Sequence, residues 1–187
     1  ERHAEDRRGV LEAPRLRALL GFAESSRYSL VAAEVIGLNP DQSVRGMLIN
    51  RGSSDGIACN QAAMVPEGIV GRVYRVSVNS AAIQLLTDPN LGVAARLKQA
   101  RENGIIRAGR GQGLQLDGVP VTAVVDVGDT VLSSGLGGIF PPDILIGVVS
   151  QVKPDPEGWL WDIEVTTEVD FGKIEELFVI QGLPVVP

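Results

Sequence analysis

Residues 128–147 read GDTVLSSGLGGIFPPDILIG, with five glycines, two adjacent prolines and a serine pair in twenty residues. A stretch of this kind has two uses. It can present Ser133 or Ser134 as a nucleophile or wrap a phosphate, or it can be a set of backbone turns that hold strands together. The order of its residues favours turns. Gly128-Asp129 after VVDV makes a turn that feeds a strand from Thr130. Gly135, Gly137 and Gly138 permit positive φ in a sharp bend, and Pro141-Pro142 fixes an extended segment before the strand ILIGVV, within which Gly147 marks a kink. A serine nucleophile needs a base, and no histidine or lysine is poised beside this pair.

The composition narrows the chemistry further. The only histidine of the 187 residues is His3 and the only cysteine is Cys59. A Ser-His-Asp triad, a Cys-His pair and a His-ligated zinc all need a histidine inside a site, and His3, near the start of a charged segment, is expected on the surface. Cys59 has no basic neighbour to activate it and is expected half-buried and inert. The net charge of −6 argues against a nucleic-acid partner, because phosphate binding depends on Lys and Arg. No run of 18 apolar residues and no signal-peptide pattern occurs. The chain begins at Glu1 without Met, so it is read as a fragment or mature segment whose anchor, if any, lies outside it.

Hydrophobic residues make up 44% but aromatics only 4%, so a core has to be built from Val, Ile, Leu and Ala. Residues 1–27 are charged and helix-permissive, interrupted by Pro14, with RLRALLGF resembling the last turns of a helix, the end of a coiled coil, closing at Gly21. From Ser29 onward short β-rich runs alternate with turns: SLVAAEVI, MLIN, AAMV, GIVGRVYRVSV, AAIQLL, GVAARL, GIIRA, TVLSS, ILIGVVSQV, WLWDIEVTT and ELFVIQG. The pattern predicts an all-β fold of two small barrels or sandwiches, with the first over 28–100 and the second over 101–187. Whether the last strand closes the second barrel or returns to the first is left open.

Several side chains qualify as candidate surfaces. In GIVGRVYRVSV, Arg72 and Tyr74 share one face, which predicts an edge or surface-facing strand on which Tyr74 can anchor a partner. Trp159 and Trp161 stand at i and i+2 after the PDPEG turn, on one face of a strand, as rim packing or as a binding platform. Ile139 and Phe140 are further candidates for an exposed patch. From 96 to 110 five basic residues, among them Arg101, Arg107 and Arg110, face the single acid Glu102, whereas 143–176 carries nine acids, including Asp155, Glu157, Asp162 and Glu164, against two lysines. If these segments occupy opposite ends, one molecule's basic loop meets the next one's acidic barrel and copies assemble head to tail. AGRGQG at 108–113 is not a dinucleotide fingerprint, no calcium loop occurs, and the paired carboxylates lack the rest of a catalytic site. No cofactor or metal is expected.

The segments VRGMLINRGSSDGI (44–57), VPEGIVGRVYRVSVNSAAIQLLTDPN (65–90) and GDTVLSSGLGGIFPPDILIGVV (128–149) resemble, in order and spacing, the MreC family of bacterial rod-shape proteins. The third is the most specific, matching the family's pattern at Gly128, Asp129, Val131, Ser134, Gly135, Gly138, Phe140, Pro141 and Gly147. Ser133 stands where that pattern has Thr, Ile146 where it has Val, and Asp143 where it has Gly, at a bend whose φ the sequence leaves open. The resemblance runs from about Leu16 to Gly182. It implies a single-pass membrane protein whose cytoplasmic tail, membrane helix and coiled coil precede Glu1, with two extracytoplasmic β-barrels. It also implies a scaffold of lateral wall elongation that binds and favours the active form of a class B penicillin-binding protein, associates with MreD, RodZ and MreB, and self-associates into dimers or filaments. A protease-like double-barrel enzyme and a peptidoglycan-binding module remain the alternatives, the latter on the paired tryptophans.

Overall fold

The computed structural model describes residues 2–182 apart from 112, and over 2–13 the course of the backbone, so the side chain of His3 lies outside the described residues. A helix, α1 (Arg2–Ser25), leads into twelve strands: β1 (Ser29–Leu38), β2 (Gly46–Ile49), β3 (Ala62–Val65), β4 (Gly68–Val76), β5 (Ala81–Leu85), β6 (Val93–Leu97), β7 (Asn103–Ala108), β8 (Leu114–Asp117), β9 (Thr130–Ser133), β10 (Leu145–Pro154), β11 (Trp161–Thr166) and β12 (Glu176–Gly182). They close into two six-stranded barrels, in the order β1-β12-β3-β4-β5-β2 and β10-β11-β8-β7-β6-β9. The helix runs through Pro14 and ends four residues beyond Gly21, where the Ser25 hydroxyl donates to the Phe22 carbonyl. β8 is absent from the runs read in the sequence: LQLD is four residues long, and its alternation of Leu114 and Leu116 with Gln115 and Asp117 is hidden between RGQG and Gly118.

The chain crosses between barrels earlier than residue 100 and then crosses back. β6 pairs with β7 and β9, which puts Val93–Leu97 in the second barrel. β12 pairs with β1 and β3, so the last strand closes the first. The cause is visible in the side chains. Leu177 and Val179 of β12 point into the first barrel with Ala63 and Val65 of β3. Phe178 and Ile180 point outward with Ala62 and Met64 into a second cluster that also contains Val93, Ile106, Phe140, Ile144 and Ile146 of the other barrel. AAMV and ELFVI are therefore apolar on both faces, because one face fills a barrel and the other joins it to its neighbour.

β4 is laddered on both sides, to β3 and β5, so it is an interior strand of the closed barrel and not the edge that Arg72 and Tyr74 suggested. Register shifts against β3 and β5 break its alternation, which is why Val70 and Val73 both reach the barrel interior. Two strand glycines are required by close approach. A Cβ on Gly71 would sit 1.9 Å from the Gln84 carbonyl oxygen, and one on Gly147 would sit 2.3 Å from that of Thr166. Each barrel thus contains a tight approach of neighbouring backbones, at Gly71 and at Gly147. Because the obstruction is main chain and cannot swing aside, Gly71→Ala is expected to destabilise the chain by about 2 kcal/mol or more, read as a fall in the urea midpoint at unchanged slope.

Candidate functional site

The turn segment at 128–147 is the junction between the second barrel, the first barrel and the helix. Ser133 is fully buried. Its hydroxyl donates to the Pro141 carbonyl at 2.5 Å and accepts the Ile144 amide at 2.9 Å. Its own amide donates to the Ile144 carbonyl, and its carbonyl accepts from the Asp143 amide. Both backbone groups and the hydroxyl are therefore committed to closing the loop. Ser134 accepts the Leu136 amide through Oγ at 3.2 Å. The serine pair is a turn device. Gly128, Gly135, Gly137 and Gly138 all take positive φ, as the bends demand. Asp129 is buried, and its Oδ2 accepts the Asp126 amide at 3.3 Å.

Asp143, standing where Gly is usual, also takes positive φ, at 66°. The bend therefore keeps its left-handed conformation, and the carboxylate gains a use that Gly could not supply. Arg96 donates to it at 2.5 Å, and Arg27, in the link between α1 and β1, lies 3.8 Å away. The Pro142 carbonyl accepts from both Arg27 and the Tyr28 hydroxyl at 2.9 Å. On the other side of the helix, Arg15 pairs with Glu175 at 2.6 Å and with Glu176. The hydrogen bond to Glu175 is the main cause of an Arg15 pKa raised above its ordinary value. Leu19, Phe22 and Ala23 pack on the shared core, with the Phe22 and Phe178 rings 5.6 Å apart.

The side chains expected on partner surfaces separate into groups. Phe140 is only 5% exposed and belongs to the shared core, with Ile139 half-buried against it, because the double-proline segment folds the loop back onto the first barrel. Tyr74 is half-buried, with the Arg75 guanidinium 5.6 Å from its ring centroid. Arg75 lies 3.7 Å from Asp41, whose carboxyl the Ser43 hydroxyl and amide hold below its ordinary range. The two tryptophans do not form one platform. Trp161 begins β11 half-buried and donates its indole N–H to the Ala123 carbonyl at 3.0 Å, whereas Trp159 lies ahead of the strand and is 75% exposed. Cys59 is exposed rather than half-buried, its thiol 3.6 Å from the Tyr74 carbonyl.

The charge segments do not occupy opposite ends of the molecule. The antiparallel ladders put the β6–β7 turn, with Arg101, and the β10–β11 turn, with Asp155 and Glu157, at the same end of the second barrel. Arg110 shares a recess with Asp162 and Glu164, Arg107 lies 3.7 Å from Asp117, and Lys153 lies 3.5 Å from Asp162. Both signs therefore share one barrel, with acids and cations side by side.

Leu16 and Leu20, part of the apolar spacing read in RLRALLGF as the end of a coiled coil, are exposed on α1, at 48% and 63%, and border an apolar groove of about 350 Å³ between the helix and β1 and β12. Their i, i+4 spacing was legible, but its exposure depended on knowing that Leu19 and Phe22 supply the packed face.

Ser133→Ala would leave the buried Ile144 amide without its acceptor and is expected to cost about 1–3 kcal/mol of stability. Asp143→Gly should be tolerated better than Asp143→Ala, since only the latter retains a Cβ in the left-handed region while losing the arginine contacts. Thermal melts of the three variants check both expectations.

The described residues contain no helix long and apolar enough to cross a membrane. Comparison with known proteins places the whole arrangement. The family model for "Rod shape-determining protein MreC, barrel core" matches residues 35–181. The cell shape-determining protein MreC of Listeria monocytogenes is 35% identical over 150 residues, covering 76% of this chain and 50% of that protein. The chain thus spans about half the length of the curated relatives it matches. A solved MreC structure superposes with a TM-score of 0.83 at 24% identity, covering 91% of this chain and 98% of its own. A second, MreC from Helicobacter pylori in complex with penicillin-binding protein PBP2, shares the fold with a TM-score of 0.65 at 17% identity, over 81% of this chain and 96% of that one. By the family model's span and the Listeria relative together, the chain belongs to the MreC family of bacterial cell shape-determining proteins.

Proposed function

We propose that the chain is the extracytoplasmic part of a non-catalytic scaffold for cell-wall elongation. In this reading it binds a class B penicillin-binding protein and favours its active form. It self-associates, works within a wider complex that includes MreD, RodZ and MreB, and is held at the cytoplasmic membrane by a single-pass anchor. Family membership supports the role in cell shape. The shared fold with an MreC solved in complex with PBP2 supports the choice of partner.

The observation that carries the scaffold reading is the conversion of the most chemically suggestive segment into a structural joint. The Ser133 hydroxyl is buried and bonded as both donor and acceptor, so it is spent on closing the β9–β10 loop that packs against the first barrel. A protease-like reading needs that oxygen free and aimed into a cleft. The split between Trp159 and Trp161 likewise removes the flat paired surface on which a glycan-binding reading rested.

Self-association is assigned to α1. Leu16 and Leu20 face solvent beside the apolar groove, while Leu19 and Phe22 hold the helix to the shared core, so a second helix can lie along the exposed side.

Biolayer interferometry of the chain against the purified ectodomain of the cognate class B penicillin-binding protein, at two salt concentrations, should show saturable binding. If the monomeric chain does not bind, an artificially dimerised form should, by avidity. Absence of binding in both forms contradicts the partner assignment. Leu16→Glu with Leu20→Glu should leave the fold intact and shift sedimentation of any dimer to monomer, because both side chains are exposed in the single chain.

A further inference from the structure

The two barrels repeat one pattern of strand registers. Gly71 lies against the Gln84 carbonyl and Gly147 against that of Thr166, and once these glycines are matched the neighbouring pairs match too. Arg72 pairs with Gln84 as Val148 pairs with Thr166, and each hairpin then slips at the same point, between Val73 and Arg75 and between Val149 and Gln151. On the other side Ala63 pairs with Gly71 and Met64 with Ile69, as Val131 pairs with Gly147 and Leu132 with Leu145.

Carried round the barrels, the match sets β3, β4, β5, β2 and β1 on β9, β10, β11, β8 and β7. β12 and β6 are left for the sixth slot, and both ways round agree on their register. From the β1 side, Glu34 pairs with Glu176 as Ile105 pairs with Ala94, which sets Phe178 on Arg96. From the β3 side, Met64 pairs with Phe178 as Leu132 pairs with Arg96, which gives the same result. The ring of registers closes on itself, so β12 fills in the first barrel the slot that β6 fills in the second.

Chain order differs at that strand alone. β6 opens the second barrel and joins β7 through the turn at 98–102, whereas β12 arrives last, through the crossover at 167–175, and ends with Gly182 paired to Ser29 where β1 begins. The first barrel is therefore five consecutive strands with a slot for a sixth from outside its own run. Inward, the slot takes Leu177 and Val179 where β6 puts Ala95 and Leu97, all four of them buried. Outward, it takes Phe178 where β6 has Arg96. Phe178 reaches the ring of Phe22 on α1 and, with Leu177, lines the groove beside Leu16 and Leu20.

We propose that β12 is a clasp: the first barrel binds its closing strand as a site binds an extended apolar ligand, through ladder hydrogen bonds and inward pockets, without needing the covalent crossover. Seating the strand builds the α1 groove, so that surface belongs only to a chain complete through its last strand. What the groove is used for rests on the self-association reading, whereas the clasp does not.

The test uses the whole chain with a site-specific protease sequence inserted between Gly172 and Lys173, both exposed in the crossover. After cutting, the C-terminal piece is expected to stay with the rest through size-exclusion chromatography. The cut protein should melt below the uncut one, and the synthetic peptide KIEELFVIQG, residues 173–182, should raise its melting temperature with concentration while leaving the uncut protein unchanged. The same peptide with Leu177→Glu and Val179→Glu should have no effect. Loss of the C-terminal piece on cutting, a cut protein that the peptide does not stabilise, or equal stabilisation by the Glu peptide would overturn the proposal. A permuted chain, residues 173–187 joined by a flexible Gly-Ser linker to 1–172, should melt cooperatively with the circular dichroism spectrum of the parent. A permuted chain that stays unfolded shows that the crossover is required and also overturns it. A strand retained in a protein that does not self-associate contradicts the α1 reading alone.

Discussion

Everything else in this molecule depends on three strands that are apolar on both faces. β3, β4 and β12 direct Ala63, Val65, Val70, Leu177 and Val179 into the first barrel, and Ala62, Met64, Ile69, Phe178 and Ile180 into the core shared with the second. Burying Met64, Ile69, Phe178 and Ile180 contributes about 1.5–3 kcal/mol each relative to exposing them. Because this joint is as well buried as either barrel's interior, the two barrels are expected to unfold together. Phe171, on the crossover from β11 to β12, packs against both clusters and ties the return of the chain to the same joint.

The loop at 128–147 finishes what that core begins. Its glycines and Asp143 set the bends, its prolines carry it back to the first barrel, and its carbonyl at Pro142 receives Arg27 and Tyr28 from the end of the helix link. Helix link, first barrel and second barrel thus meet at one place, and α1 is held by apolar packing at Phe22 and by the ion pairs of Arg15 with Glu175 and Glu176 and of Arg27 with Asp143.

Much of this was legible in the residues. The turn chemistry of GDTVLSSGLGGIFPPDILIG, the short β runs and the scarcity of catalytic side chains led to two barrels, and the same motif carried the family resemblance. What stayed hidden depended on pairing between distant segments. The crossover at β6 and the return of β12 are set by which outward faces meet, and no local pattern reports that, although the two-faced apolar runs AAMV and ELFVI were its trace. Phe140 reads as an exposed aromatic because the loop around it is polar and glycine-rich, yet the double proline turns it inward. Arg72 and Tyr74 read as an edge because periodicity cannot show that a barrel closes on both sides of their strand. Whether the charged segments lie at opposite ends could not be read from distance along the chain, and one barrel contains both.

The claim that the two barrels form one body is tested most directly by differential scanning calorimetry of the intact chain. The account predicts a single transition whose calorimetric and van't Hoff enthalpies agree, as for a two-state unit. Two resolved transitions, or a calorimetric enthalpy well above the van't Hoff value, would show the barrels melting independently and would contradict the role given to the shared core.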